Sequence, residues 1–175
     1  MGKFVNPDNT AFQVALNSEI YVDKTGLIEY TNRVMDTNQA LICNSRPRRF
    51  GKSITANMLA AYYSRGCDSK QLFEGKNISK TKLYEEHLNK HDVIHLDVQW
   101  CCMDAGSAEK TVSYITQKVL CELKEEFPDV PFSKKNTLGG ALADITQKTG
   151  HKFVIIIDEW DVLIRDEAAN LKVQE

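Results

Sequence analysis

Gly51-Lys52-Ser53, within LICNSRPRRFGKSITANMLAAYY (41–63), is a residue set suited to holding an anion. A glycine permits the tight turn, and the N–H groups that follow converge at a helix N-terminus. The lysine adds a point charge, and the serine hydroxyl can ligate Mg²⁺. An apolar run before the turn and an apolar-faced helix after it supply the strand–loop–helix setting that a phosphate loop needs. The motif G-x-x-x-x-G-K-[ST] is nevertheless incomplete, because Arg46 stands where its first glycine belongs. Arg46, Arg48 and Arg49 join Lys52 in one short basic stretch. One of these arginines can clamp a terminal phosphate, and a solvated basic turn is the alternative for the others. A nucleic-acid patch is a third reading, for which Phe50 alone offers a stacking surface. The nucleotide-contacting stretch is expected to be Arg46, Pro47, Arg48, Arg49, Phe50, Gly51, Lys52, Ser53 and Ile54.

A second set lies in KFVIIIDEWD (152–161), where Asp158 and Glu159 leave an apolar strand. An aspartate at that exit fixes Mg²⁺ in phosphate-loop proteins, and an adjacent glutamate suits the orientation or deprotonation of an attacking water. Asp158 can also serve as an N-cap for the helix that follows. Acidic pairs after strands are common, but both halves in one chain, each with its strand, point to a Mg-nucleotide site. Ser53 and Asp158 are the expected metal residues, and Lys52 and Glu159 the expected catalytic ones. His87, His91, His95 and His151 show no ligand spacing and read as surface histidines.

The elements that must position these residues can be read from periodicity. ALICN (40–44) is the first expected core strand, and SITANMLAAYYSR (53–65) is a helix with Ile54, Met58, Leu59 and Tyr62 on its inner face. Gly66 sits where a glycine stop belongs. VIHLDVQW (93–100) alternates Ile94, Leu96 and Val98 against His95 and Asp97, the pattern of a half-exposed edge strand. Residues 107–127 form the clearest amphipathic helix, and 137–149 another. KFVIII (152–157) lacks alternation and suits a strand covered on both faces. Trp160 reads as a packing anchor. The order predicts an α/β fold with a parallel sheet.

The bulk properties set outer limits. A chain of 175 residues, 42% hydrophobic and 26% charged, holds one domain with a real core. A net charge of −2 gives no global pull toward nucleic acid or anionic membranes. No apolar run approaches the ~20 residues of a membrane span. Five cysteines without metal spacing, and no export signal, point to reduced thiols in the cytoplasm. Cys43 and Cys121 sit in apolar runs and read as small core residues.

YVDKTGLI (21–28), SRPRRFGKS (45–53) and FVIIIDEWD (153–161) together resemble the bacterial AAA-ATPase-like proteins, from about residue 20 to the end of the chain. Members are similar in carrying R-P-R-R-F-G-K-S without the first loop glycine. Arg46 must then keep φ below zero, and Pro47 stiffens the approach to the turn. The resemblance implies ATP and Mg²⁺ as ligands, with Lys52 and Ser53 in the phosphate and magnesium roles, Asp158 on the metal and Glu159 on the water. It implies no clear job for Asp23 and Lys24, which either border the nucleotide or pin the leading segment. A nuclease-like domain often follows this region in the family, so the expected partners are ATP and an attached or separate effector protein, with nucleic acid involved only indirectly.

The resemblance also implies the strand order 5-1-4-3-2, with 40–44 as strand 1, 93–98 as edge strand 2 and 153–157 as strand 3. Strands 4 and 5 find no counterpart, so the fold is expected to be a phosphate-loop sheet with flanking helices, truncated before them. Residues 1–175 would be the front part of such a domain, with 1–20 as lead-in and 40–175 as the nucleotide-binding core. A missing strand 4 predicts either direct pairing of 40–44 with 153–157 or a gap of roughly twice the ~4.8 Å strand spacing. Two function classes follow. One is a Mg-dependent ATPase that regulates an effector, favoured by Glu159; the other is a non-hydrolysing nucleotide-binding or interaction module, favoured by the truncated sheet.

Overall fold

The computed structural model describes residues 2–45, 50–133 and 137–169. Helices α1 (Thr10–Leu16), α2 (Gly26–Val34) and α3 (Lys52–Tyr63) come first, followed by α4 (Lys70–Phe73), a 3-10 turn (Asn77–Lys80) and α5 (Tyr84–His87). Strand β1 (Asp92–Asp97) then leads through α6 (Val98–Ala105), α7 (Ala108–Glu126) and α8 (Leu138–Thr149) to β2 (Phe153–Asp158), and α9 (Val162–Ala169) follows. The two strands pair in parallel, with Asp92 opposite Phe153 and Asp97 opposite Asp158. A parallel pair cannot be joined by a tight turn, and α6 to α8 make the crossover. The chain is thus a mixed α/β protein with a two-stranded parallel sheet and flanking helices. Among the described residues no helix is long and apolar enough to cross a membrane.

Successive residues of β1 point to opposite faces, and each face has its own core. Val93 joins Phe12, Ile28, Met58, Tyr62, Tyr63 and Phe73 on one side. Ile94 and Leu96 join Val119, Leu120, Leu123 and Ile145 on the other. Polar contacts lock the first core: Asn32 Nδ2 donates to the Tyr62 hydroxyl (2.9 Å), and the Tyr63 hydroxyl donates to Asn32 Oδ1 (2.7 Å). Asp23 ties the start of α2 to the 3-10 turn by accepting N–H groups from Thr25 (2.9 Å) and Asn77 (3.0 Å). Burial works to raise the Asp23 pKa, but these bonds outweigh it and the net shift is downward.

The lead-in segment is integral to the sheet. Val5 bridges Ile94 antiparallel, Asn6 N donates to Val93 O at 2.8 Å, and His95 N donates to Phe4 O at 2.9 Å. The Glu122 carboxylate on α7 accepts the N–H groups of Lys3, Phe4 and Val5 at 3.1, 2.8 and 2.8 Å. Burying Phe4 and Val5 adds roughly 1.5–3 kcal/mol each before the entropy of ordering them. Gly66 belongs to this contact rather than to a helix stop. α3 already ends at Ser64 in extended backbone, and a Cβ on Gly66 would lie 2.3 Å from the Asn6 carbonyl oxygen.

Several expectations are overturned. Residues 40–44 form no strand, and Leu41 is 97% exposed. Among the described residues no strand lies alongside them, so neither a hydrogen-bond ladder nor an apolar face is available. Direct pairing of 40–44 with 153–157 therefore does not occur, whereas β1 and β2 pair in parallel, as the neighbouring strands 2 and 3 of the expected order would. The burial of the two strands is also reversed. β1 is covered on both faces, with the lead-in on its free edge, whereas Ile155 and Ile157 of β2 are about half exposed. Val98 leaves the strand to open α6, because Asp97 Oδ1 caps that helix by accepting the Trp100 N–H at 3.0 Å. Cys43 and Cys121 are exposed, whereas the adjacent Cys101 and Cys102 are buried on α6. Ile54 and Trp160, expected inside, are exposed. The His87 and His91 rings stack, with Nδ1 and Nε2 3.0 Å apart, and both are half-buried.

Candidate functional site

Gly51 adopts φ 73°, ψ 37°, a left-handed conformation that costs other L-residues about 1 kcal/mol or more. The turn feeds directly into α3, whose first bond runs from Thr55 N to Gly51 O at 3.0 Å. Among the described residues no side chain caps this N-terminus, so the N–H groups of the first turn, orphaned in any helix, open forward. They open onto a cavity of about 420 Å³ lined by Gly51, Lys52, Ser53, Ile54, Gln99, Glu159 and Arg165. That volume lies in the range of small-molecule sites.

Each wall has a structural reason. Gln99 follows the C-terminal end of β1 and Glu159 that of β2, and the crevice beyond the carboxyl ends of parallel strands is where α/β sheets bind ligands. Glu159 has φ 51°, unusual outside glycine. Asp158 Oδ1 accepts the Glu159 N–H at 3.0 Å, and Arg165 Nη2 on α9 donates to Glu159 Oε2 at 3.0 Å. Arg165 Nε also lies 3.1 Å from Asp161 Oδ2, one helical turn earlier. Asp158 itself is buried and does not line the cavity. Beside it, burial holds the His95 pKa below the ordinary histidine value, against the upward pull of the Asp158 and Asp97 charges. His95 is therefore neutral at neutral pH and adds no positive charge to the site.

The structure thus brings Gly51, Lys52, Ser53 and Ile54 together with Glu159, from two motifs about a hundred residues apart. Phe50 is exposed and lies off the cavity, and Arg46, Pro47, Arg48 and Arg49 fall outside the described residues. Two residues escaped the sequence reading, and the sequence leaves a third, Lys24, between two roles. Gln99 carries no local signal, since its place follows from the early end of β1. Arg165 is four positions after Asp161, and that acid–base spacing on a helix was the available clue. Lys24 Nζ donates to the Phe50 carbonyl and would lie 2.6 Å from a Cβ on Gly51. Lys24 thus pins the phosphate turn from behind, while Asp23 anchors the segment that carries it.

The donor set fits the ligands that the motifs suggest. An uncapped helix start, an ammonium and a glycine turn are the groups that hold polyphosphate. The Ser53 hydroxyl lines the cavity, and the buried Asp158 carboxylate, off the cavity wall, would reach a Mg²⁺ ion through the ion's water shell. No curated protein and no solved structure matches the chain. A family model described as "Predicted AAA-ATPase" matches residues 11–175. Matched over nearly its whole length, and carrying both motifs on one cavity, the chain belongs to the predicted AAA-ATPase family.

Proposed function

We propose that the chain binds Mg-ATP in the cavity at the start of α3 and hydrolyses it, so regulating an attached nuclease-like domain or a separate partner protein. The observation that carries this reading is the meeting of Gly51-Lys52-Ser53 and Glu159 on one cavity at the carboxyl ends of parallel strands.

The first-turn N–H groups and the Lys52 ammonium would bind the β and γ phosphates, reinforced by the positive end of the helix dipole. Ser53 and Asp158 would hold Mg²⁺, which when bound neutralises charge on the phosphate oxygens. Glu159 would orient the attacking water and accept its proton. One of Arg46, Arg48 and Arg49 would clamp the phosphates from the loop. A second reading, binding without turnover, has a specific observation behind it: Arg165 already occupies Glu159 Oε2.

Mg-ATP should perturb the fluorescence of exposed Trp160, two residues from Asp158. Removing a charge-assisted phosphate contact costs roughly 1.5–3 kcal/mol, so Lys52→Ala should weaken binding by about 10- to 100-fold with an unchanged far-UV spectrum. An equal response in wild type and Lys52→Ala would exclude the loop as the site. Phosphate release then separates the two readings. Turnover that Glu159→Gln abolishes without loss of ATP binding supports hydrolysis, and no turnover in wild type supports the binding module.

A further inference from the structure

Arg165 is the charged cavity group that the phosphate-loop motifs do not account for. It lines the same cavity as Lys52 and Ser53. Its Nη2 holds Glu159 Oε2 at 3.0 Å, yet its Nε, 3.1 Å from Asp161 Oδ2, finds no hydrogen-bond geometry among the described residues. The guanidinium is therefore incompletely satisfied, with N–H donors beyond the one committed to Glu159. A guanidinium matches a phosphate with parallel N–H···O bonds, and a terminal phosphate carries more charge than one carboxylate.

We propose that Arg165 is a terminal-phosphate ligand that is exchanged between Glu159 and the nucleotide. Lys52 and the start of α3 draw the phosphates into the cavity. The terminal phosphate then takes the Arg165 guanidinium and leaves both oxygens of Glu159 free to face a water. A nucleoside diphosphate places no γ phosphate within reach to compete, so Arg165 stays on Glu159. The pair thus makes the cavity discriminate triphosphate from diphosphate and ties the freeing of Glu159 to the arrival of the triphosphate. This rests on the nucleotide reading of the cavity.

The test is titration of the full chain with Mg-ATP and with Mg-ADP, followed by calorimetry. Wild type should prefer ATP. Arg165→Ala should weaken ATP binding about tenfold, as expected for one lost charge-assisted contact, while ADP binding stays within about twofold. Arg165→Lys, which keeps the charge but loses the fork, should fall between and serves as the readout if the alanine variant fails to fold. Glu159→Gln should tighten ATP binding severalfold without changing ADP binding, because a neutral amide competes poorly for the guanidinium. Equal weakening of both nucleotides by the Arg165 variants, or unchanged ATP affinity in Glu159→Gln, would overturn the exchange while leaving the nucleotide site standing. A wild type that binds neither nucleotide would overturn both.

Discussion

Lys24 shows how the site depends on a residue off the cavity, which holds the Gly51 turn in place. Gly51 is left-handed, with Lys24 closed against it through the Phe50 carbonyl. Gly51→Ala places a methyl group into φ 73° and against the Lys24 ammonium. It should destabilise the turn by about 1 kcal/mol or more, seen as a lower urea midpoint together with weakened ATP binding. His95 gives a prediction of a different kind. Burial lowers its folded pKa below the ordinary value, so the unfolded chain binds the proton more readily. Its share of stability is complete above the unfolded pKa, near 6.5, and is lost as pH falls through the lower folded value. The thermal midpoint should therefore drop on acidification below about pH 6.5, and His95→Gln should flatten that slope. His91, also lowered by burial, should contribute in the same sense. That Lys52, Ser53 and Glu159 would meet was legible because each follows a turn or strand end recognisable from local sequence. Gln99 was not, and the sequence leaves Lys24 between two roles, since their places depend on how distant segments pack.

At the scale of elements, the helices and two of the three expected strands form, those two pairing in parallel, while 40–44 does not become a strand. The helices over 53–65, 107–127 and 137–149 announce themselves through local periodicity, and their caps are local too, such as Thr137 accepting the Gly140 N–H at 3.2 Å. Strand status is settled elsewhere in the chain. ALICN and KFVIII look alike in sequence, yet only the second meets a neighbour, β1. The coverage of β1 was unreadable for the same reason, because its outer edge is paired with residues 4–6, which carry no strand pattern of their own. Glu122 makes that pairing testable. Glu122→Ala would remove the acceptor for the N–H groups of Lys3, Phe4 and Val5. A loss of roughly 2–3 kcal/mol in urea unfolding is expected, with Glu122→Gln, which retains an oxygen acceptor, losing less.

For the molecule as a whole, the two faces of the sheet are unequally finished. Leu41, Ile155, Ile157 and Ile164 are exposed, and apolar surface alongside a strand favours association. Light scattering should rise with protein concentration, and the double change Ile155→Lys, Ile157→Lys should suppress it without lowering the melting midpoint. The lead-in segment has a further consequence, for the order in which the chain can be completed. Its anchor lies far downstream, with Val5 and Glu122 separated by 117 positions. At a synthesis rate of ~5–20 residues per second, residues 3–5 would wait roughly ten seconds after emerging from a ribosome for the carboxylate that holds them. Through that interval the edge of β1 would stand unpaired once it formed, and the closing of so long a loop makes the lead-in a late element to dock. On this view residues 3–6, made long before Glu122, act as the final fastening of the sheet.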